Sequence, residues 1–450
     1  MGLKNIEKYS YSYAFFKLWV KFWHDYIFYR KVEYVNRKNV PRNEHLILTA
    51  NHQNALMDAL AIEFAFFNQP VFVARSDIFS NKLVAAILYW LKILPVYRIR
   101  DGYETLKKNE FVFKKTIDVI KNKNNFVIMP EGNHAGFRRL RQLKKGFARI
   151  AFRAEEANDF LLHMKIVPVG IDYECYTTYR STLLVNFGEP MDLSPFYGIY
   201  KKNPATGLNK IREALAERMK PLMIHIESRE FYTLYNELRK MYRPYGIKQL
   251  NLNRKRLYDG FLVDKKLIAS LEKVEQSDTE KMKEYSGIMD NFLESVGKYG
   301  FGVREFKNGN ISFFGIILRT LALIITSPLF LYGFVVNGLP YHIPRMVVKP
   351  IKDKQFHSSF KYVLTMLLFP VFYLLETGIF YLITKNGLNT LLFFLSLPVS
   401  AIATWQWYRH VKIAIREIKY LYYKTKHPGL FNSVKNGYRK LIDFAGEVFE

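Results

Sequence analysis

After Asn310 the chain carries three long apolar runs, and no other feature restricts its fold as strongly. Ile311 to Val336, interrupted by Arg319 and Pro328, Tyr362 to Thr384, and Leu388 to Trp407 are each close to the ~20 residues a helix needs to cross a bilayer. Lipid offers no partner to a backbone N–H or C=O, so such runs have to be helical. The last two form a hairpin through Lys385-Asn386-Gly387. The loop ahead of that hairpin holds Arg345, Lys349, Lys352 and Lys354, and the tail behind it holds Arg409, Lys412, Arg416, Lys419, Lys424 and Lys426. The positive-inside rule puts both on the cytoplasmic face. That fits a segment 311–336 that enters the bilayer and returns, bending near Pro328; three full spans, against the charge bias, are the alternative.

The preceding 310 residues are different in character. Lysine and arginine exceed aspartate and glutamate by +27 over the 450 residues, and 16% of all residues are aromatic. A basic, aromatic-rich chain points to an anionic partner, and aromatic rings interleaved with Lys and Arg suit lipid headgroups. With no zinc knuckle, RNP-type strand or helix-turn-helix signature, no nucleic-acid partner is expected. The single cysteine, Cys175, excludes an intramolecular disulfide. The first apolar stretch is broken by Lys17, Lys21, His24 and Asp25, so no cleavable signal peptide is expected, and Ile6 stands where a myristoylation motif wants Ser or Thr. Residues Tyr9 to about Tyr29 read as a helix with Tyr13, Lys17, Lys21 and His24/Asp25 along one stripe and Phe15, Trp19, Phe22, Trp23 and Tyr26 on another. It is expected to be an interfacial amphipathic helix over residues 1–31, the alternative being an ordinary surface helix.

From Val32 to Pro195 short apolar strands alternate with helices. Strands are expected at His45–Thr49, Pro70–Ala74, Asn125–Met129, Lys165–Ile171 and Leu183–Phe187, with helices at Leu83–Leu91, Tyr103–Lys121 and Gln142–Ala154. This alternation gives an α/β fold with a mostly parallel sheet flanked by helices, whose chemistry gathers at the carboxyl ends of the strands. The expected organisation is an interfacial helix (1–31), an α/β domain (32–200), a charged helical region without catalytic pattern (201–310), a membrane region (311–410) and a basic cytoplasmic tail (411–450).

Three unusual segments sit at those strand ends: Asn51-His52 with Asp58 downstream, Pro95-Val96-Tyr97-Arg98, and Pro130-Glu131-Gly132. A histidine after a buried strand with a carboxylate a short turn later is the arrangement a general base requires. On its own, such a histidine is as often a satisfied core residue. Together with Val167-Pro168-Val169-Gly170, the segments resemble in order and spacing the four motifs of the glycerolipid acyltransferase superfamily, which acylates glycerol 3-phosphate and lysophosphatidate. The resemblance covers roughly Val32 to Pro195. Five residues, Gln53 to Met57, separate the histidine from the aspartate where four are common, which is similar to the fungal glycerol-3-phosphate acyltransferases. Lys92 and Tyr97 replace a frequent glycine and aspartate in the second motif, and Asn133-His134 replaces the usual Thr-Arg in the third.

The resemblance implies fatty-acyl transfer from acyl-CoA or acyl-ACP to a hydroxyl of glycerol 3-phosphate, with lysophosphatidate as the alternative acceptor. Attack of an alcohol on a thioester needs a base, whereas a leaving thiolate with a conjugate acid near pKa ~8.5 needs little acid help. His52 is the expected base and Asp58 its orienting carboxylate, in the logic of a triad whose nucleophile is the acceptor itself. Arg98, Glu131, Gly132, Asn133 and His134 are the expected acceptor-binding positions. An arginine fork suits phosphate, and a glycine turn lets backbone N–H groups approach an anion. A surface ion pair for Arg98 and a plain turn histidine for His134 are the alternatives. Arg138, Lys144 and Lys145 are candidate phosphate contacts within a basic cluster that also includes Arg139, Arg141 and Arg149. No cofactor and no metal site are expected, because no dinucleotide, P-loop or paired-ligand spacing is present. A protein that binds anionic lipid without catalysis would show the same basic aromatic surface. A thioesterase would have no use for a phosphate site.

Overall fold

The computed structural model describes residues 6–97, 106–134, 136–308 and 311–450. The chain divides into two compact units, one of residues 1–225 together with 351–362, the other of 226–350 together with 363–450.

The first unit is built on an eight-stranded sheet. Its strands are β1 (Tyr29–Val35), β2 (Leu46–Ala50), β3 (Val71–Arg75), β4 (Ile93–Val96), β5 (Phe126–Ile128), β6 (Lys165–Tyr173), β7 (Ser181–Phe187) and β8 (Met191–Asp192). The order is β1-β7-β6-β2-β5-β3-β4, with β8 beside β6. Every pairing is parallel except β6 with β7 and with β8. All five residues of β2 and all seven of β7 are buried, and apolar residues dominate both, with Thr49 in the first and Ser181, Thr182 and Asn186 in the second. The expected mostly parallel sheet is therefore present. Three strands were not expected: β1, whose Arg30, Lys31 and Glu33 mask its pattern, the four-residue β4 and the two-residue β8.

Helices α1 (Tyr11–Phe22), α2 (Leu56–Glu63), α3 (Lys82–Trp90), α4 (Leu106–Lys121), α5 (Gly146–Glu156), α6 (Tyr197–Lys202) and α7 (Pro204–Met219) complete this unit. Phe147 and Phe152 of α5, Val119 and Ile120 of α4 and Ile211, Leu215 and Met219 of α7 join Ile47, Val71, Phe126 and Ile166 of the sheet in one buried cluster. Helix α7 belongs to this unit although it lies beyond residue 200. Just past α7 the chain crosses β6 so closely that a Cβ on Gly170 would lie 2.0 Å from the carbonyl oxygen of Leu222.

Helix α1 is mounted with its charged stripe inward. Tyr13, Lys17 and Val20 are buried, and Lys17 Nζ meets Glu63 of α2 at 2.6 Å. The same ammonium donates to the carbonyl of Asn68 at 2.6 Å. Ser10 and Gln69 exchange two more hydrogen bonds, of 2.9 and 2.7 Å. The aromatic stripe faces outward, with Tyr11, Phe15, Trp19, Phe22 and Tyr26 exposed. Beyond Phe22 the helix widens into a π-helical segment, Trp23–Phe28. Helix α3 lies beside α1, through Trp90 against Tyr13 and Phe16, and Leu83, Val84 and Ile87 on it are exposed as well.

The second unit is helical: α8 (Tyr232–Gln249), α9 (Leu257–Ser277), α10 (Thr279–Tyr299), α11 (Val303–Asn308), α12 (Phe313–Ile325), α13 (Ser327–Val348), α14 (His357–Thr384), α15 (Gly387–Lys426) and α16 (Pro428–Phe449), with α14 starting in the first unit. Buried Asp264 on α9 takes Arg239 and Arg243 of α8 together. Among the described residues two helices, Lys354–Thr384 and Gly387–Lys426, are long and apolar enough to cross a membrane. The pair α12 and α13 passes the same test only jointly and is bent by 54° at its break, as a broken span or a re-entrant loop would be. Asn337 of α13 ties this region together: its amide donates to Ser400 Oγ of α15 at 2.9 Å, and its oxygen accepts from Tyr373 of α14 at 2.7 Å. Such side-chain bonds hold apolar helices together where no water competes.

Candidate active site

Strand order brings the motif segments together. β2 and β5 are parallel neighbours with Thr49 opposite Ile128, so the turns at their carboxyl ends, carrying His52 and Glu131, emerge side by side. On the other flank of β2, Asn51 continues the ladder with its side chain, donating to the carbonyl of Ile171 (3.0 Å) and accepting from its N–H (2.7 Å).

His52 Nδ1 lies 2.8 Å from Asp58 Oδ2. An ionised carboxylate only accepts, so Nδ1 carries the proton and the lone pair is left on Nε2. Asp58 is fully buried and holds four donors. Besides the imidazole, its Oδ2 accepts from the N–H groups of Gln53 (2.8 Å) and Asn54 (2.7 Å), and its Oδ1 accepts from the Tyr173 hydroxyl (2.8 Å). The five-residue spacing is thereby explained. The chain turns sharply after His52, passes through Ala55 at φ +46°, and enters α2 so that Asp58 in its first turn reaches back to the residues of the turn. An alanine adopts such a backbone only where its surroundings enforce it.

Glu131 is 2% exposed, and both of its oxygens are used. Oε1 accepts from the backbone N–H of His52 at 2.9 Å; Oε2 accepts from Arg141 Nε at 2.8 Å and from the Arg141 N–H at 3.3 Å. Burial pushes its pKa upward against the opposing effect of these donors. The expectation that Glu131 contacts the acceptor gives way to a bracket that fixes His52 to the third motif. Arg141 Nη1 also reaches Asn133 Oδ1 at 2.5 Å. Gly132 sits at φ +73°, where a side chain is strained, and a Cβ there would meet Lys144 Cγ at 3.4 Å.

His134 stands edge-on to His52 with ring centroids 5.4 Å apart. Burial, with His52 nearby, lowers its pKa. Arg138 corrects a second expectation: it is 4% exposed, pairs with Asp172 and donates to the carbonyl of Tyr173, so it braces β6 and does not face a ligand. Lys144 is exposed and Lys145 half-buried, and neither ammonium has a side-chain partner among the described residues. Arg98 lies outside the described residues. Among the described residues no group of three or more His, Cys, Asp or Glu side chains is arranged to hold a metal ion.

Tyr173, Gln53 and Tyr176 were not foreseen. Tyr173 anchors Asp58, while the Tyr176 hydroxyl donates to Gln53 Oε1 at 2.5 Å and Gln53 Nε2 to the carbonyl of Phe137 at 3.1 Å, tying the first motif to the loop after the third. Their partners are more than 80 residues away in sequence, so no local pattern marks them.

Residues 31–172 match the family model described as Acyltransferase. That match covers the motif-bearing region and supports its resemblance to the glycerolipid acyltransferase superfamily. Over 290 residues the chain is 23% identical to glycerol-3-phosphate O-acyltransferase 2 of Saccharomyces cerevisiae, a match covering 59% of this chain and 37% of that relative. The chain thus spans little more than a third of the length of that curated protein. Among solved structures, the chain is similar to the 1-acyl-sn-glycerophosphate (LPA) acyltransferase of Thermotoga maritima, 19% identical, covering 49% of this chain and 79% of that one with a TM-score of 0.32.

Proposed function

We propose that the protein is a membrane-bound O-acyltransferase that moves a fatty acyl group from acyl-CoA or acyl-ACP to a hydroxyl of glycerol 3-phosphate. The observation that carries this reading is the His52–Asp58 pair at 2.8 Å beside the Glu131 turn, with no hydrogen bond to Nε2 among the described residues. Nε2 takes the hydroxyl proton as the acceptor oxygen attacks the thioester carbon. The C–S bond breaks as the tetrahedral intermediate collapses, and the imidazolium returns its proton to the thiolate. Asp58 stabilises the imidazolium in between. In this reading the acceptor itself is the nucleophile, so the acyl group passes directly to it. The name of the yeast relative favours glycerol 3-phosphate, and lysophosphatidate is the alternative. Lys144 and Lys145 are the available cations for the acceptor phosphate or for the donor's phosphates.

We infer that the active site faces the cytoplasm. Segment Ile351–Tyr362 packs within the catalytic unit, so the loop between α13 and α14 and the active site share one side of the bilayer, and this loop carries Lys349, Lys352 and Lys354. The outward aromatic face of α1 rests on membrane lipid in the same arrangement. The test is thioester consumption by detergent-solubilised protein with palmitoyl-CoA and, separately, an acyl carrier protein donor, offered glycerol 3-phosphate or lysophosphatidate. Acceptor-dependent turnover that His52→Ala abolishes is expected. Lipid sedimentation without any turnover points instead to a non-catalytic lipid-binding protein, and acceptor-independent thioester loss to a hydrolase.

A further inference from the structure

Segment Ile351–Tyr362 is remote in sequence from every motif, yet it lines the motif-bearing face of the catalytic unit. Three bonds tie it down: Ser358 Oγ donates to the carbonyl of Tyr176, Lys361 Nζ to that of Thr177 at 2.8 Å, and the Tyr362 hydroxyl to that of Val20 at 2.5 Å. Gln355, with its amide turned to satisfy both ends, accepts from the Gly136 N–H at 2.6 Å. Held in this way, the segment brings two side chains to His134. Phe356 stands edge-on to the imidazole at 4.7 Å, and Asp353 Oδ2 lies 3.6 Å from its Nδ1.

The active site therefore contains two imidazoles in contact, each with a carboxylate on the Nδ1 side: His52 with Asp58 and His134 with Asp353. A carboxylate at Nδ1 favours the tautomer with the proton there and leaves Nε2 as a hydrogen-bond acceptor. The second carboxylate is at ion-pair range, beyond a full hydrogen bond, and acts through its field. Four charged or titratable groups face His134: His52 and Arg141, which oppose a charge on it, and Asp353 and Asp58, which favour one. Burial is the largest influence and lowers the pKa of the ring, which favours its neutral form.

We propose that His134, positioned by Asp353, accepts a hydrogen bond from the second hydroxyl of a vicinal-diol acceptor while His52 deprotonates the first. This deepens the acyltransferase reading and rests on it. Glycerol 3-phosphate has two adjacent hydroxyls, whereas lysophosphatidate has only one free hydroxyl. A neutral imidazole is suited to reading the diol and poorly suited to binding phosphate, for which the half-buried ring supplies no charge. One neutral hydrogen bond of ~0.5–1.5 kcal/mol corresponds to roughly two- to tenfold in kcat/KM.

The experiment compares glycerol 3-phosphate with 3-hydroxypropyl phosphate, which lacks the second hydroxyl, on full-length solubilised protein. The wild type is expected to prefer glycerol 3-phosphate by about two- to tenfold in kcat/KM. His134→Phe and Asp353→Asn are expected to bring that ratio close to one by raising the KM for glycerol 3-phosphate. Their KM for the acyl donor and their melting temperature should stay near wild-type values, and Asp353→Glu should keep most of the preference. A wild type indifferent to the missing hydroxyl, or variants that lose rate on both acceptors equally, would overturn the proposal. Calorimetric binding of the two phosphates separates this from failure of the enzymatic reading. A protein without turnover that still binds glycerol 3-phosphate more tightly, in a manner dependent on His134, retains the diol site; equal binding refutes it.

Discussion

Replacing Asp58 by asparagine removes one charge from a site whose four donors all converge on that carboxylate. An asparagine oxygen at the Oδ2 position still accepts from His52 and from the Gln53 and Asn54 N–H groups, and its NH2 meets the Tyr173 hydroxyl, which can rotate to accept. The turn should therefore survive while the imidazolium loses its counter-charge. A hydrogen bond to an ionised group is worth about 1.5–3 kcal/mol. If that sum is lost only when His52 is protonated, kcat falls roughly ten- to a hundredfold with the acceptor KM within about twofold. Tyr173→Phe is the complementary change. It strips one buried donor from Oδ1 and is expected to cost about 1–3 kcal/mol of stability but less than about fivefold in rate, because three donors still hold the carboxylate. The assay is initial-rate thioester consumption beside urea unfolding for both variants. A rate for Asp58→Asn within twofold of wild type, or Tyr173→Phe slower than Asp58→Asn, would refute this account of how the pair works.

Three further outcomes are expected. Glu63→Ala leaves Lys17 buried without its carboxylate and should lower stability by about 3–5 kcal/mol, while Lys17→Met combined with Glu63→Leu should recover most of it; unfolding curves in which the double variant is no better than the single would count against the ion pair as the mount of α1. Gly132→Ala should cost about 1–2 kcal/mol through its φ of +73°, read as a drop in melting temperature, and an unchanged melting temperature would show that the turn relaxes freely. His24 is fully buried and its pKa is lowered by that burial, against the pull of Asp25. The folded protein thus binds fewer protons there than the unfolded chain once pH falls through the ordinary value of 6.5, and stability drops with falling pH by at most about 1.4 kcal/mol per unit. Unfolding at pH 7.5 and 5.5 should show that slope reduced in His24→Gln, and parallel behaviour of variant and wild type would exclude His24 as its source.

The sequence announced the parallel sheet where strands are buried on both faces. Leu46–Ala50 and Ser181–Phe187 are buried along their whole length and carry Leu46, Ile47 and Leu48 and Leu183, Leu184 and Val185 as unbroken apolar triplets. It did not announce β1, whose charged residues sit at a sheet edge, or β4, too short to show a period. His52 and Asp58 were legible because both the base and its orienter lie within one turn. Glu131 was legible as a motif but not as a bracket, since its function depends on Arg141 and on the backbone of a turn 79 residues away. Arg138 misled because a charge within a basic run resembles its exposed neighbours until Asp172 is placed beside it. The stripe of Tyr13 and Lys17 on α1 was visible as a stripe, yet only the location of Glu63 determines that it faces inward.

The catalytic unit is not closed by its own contiguous stretch of chain. Residues 351–362 complete it, and 226–350 must be synthesised first, about 6–25 s of translation at ~5–20 residues per second. During that interval His134 stands without Asp353 and Phe356, and α12 and α13 are synthesised before either arrives. A nascent chain stalled before Ile351 carries the His52–Asp58 pair without its second wall. Completion of the first unit is thereby coupled to synthesis of the segment that leads into the long apolar helices, so that a copy whose synthesis fails early has the His52–Asp58 pair but neither Asp353 nor Phe356 beside His134.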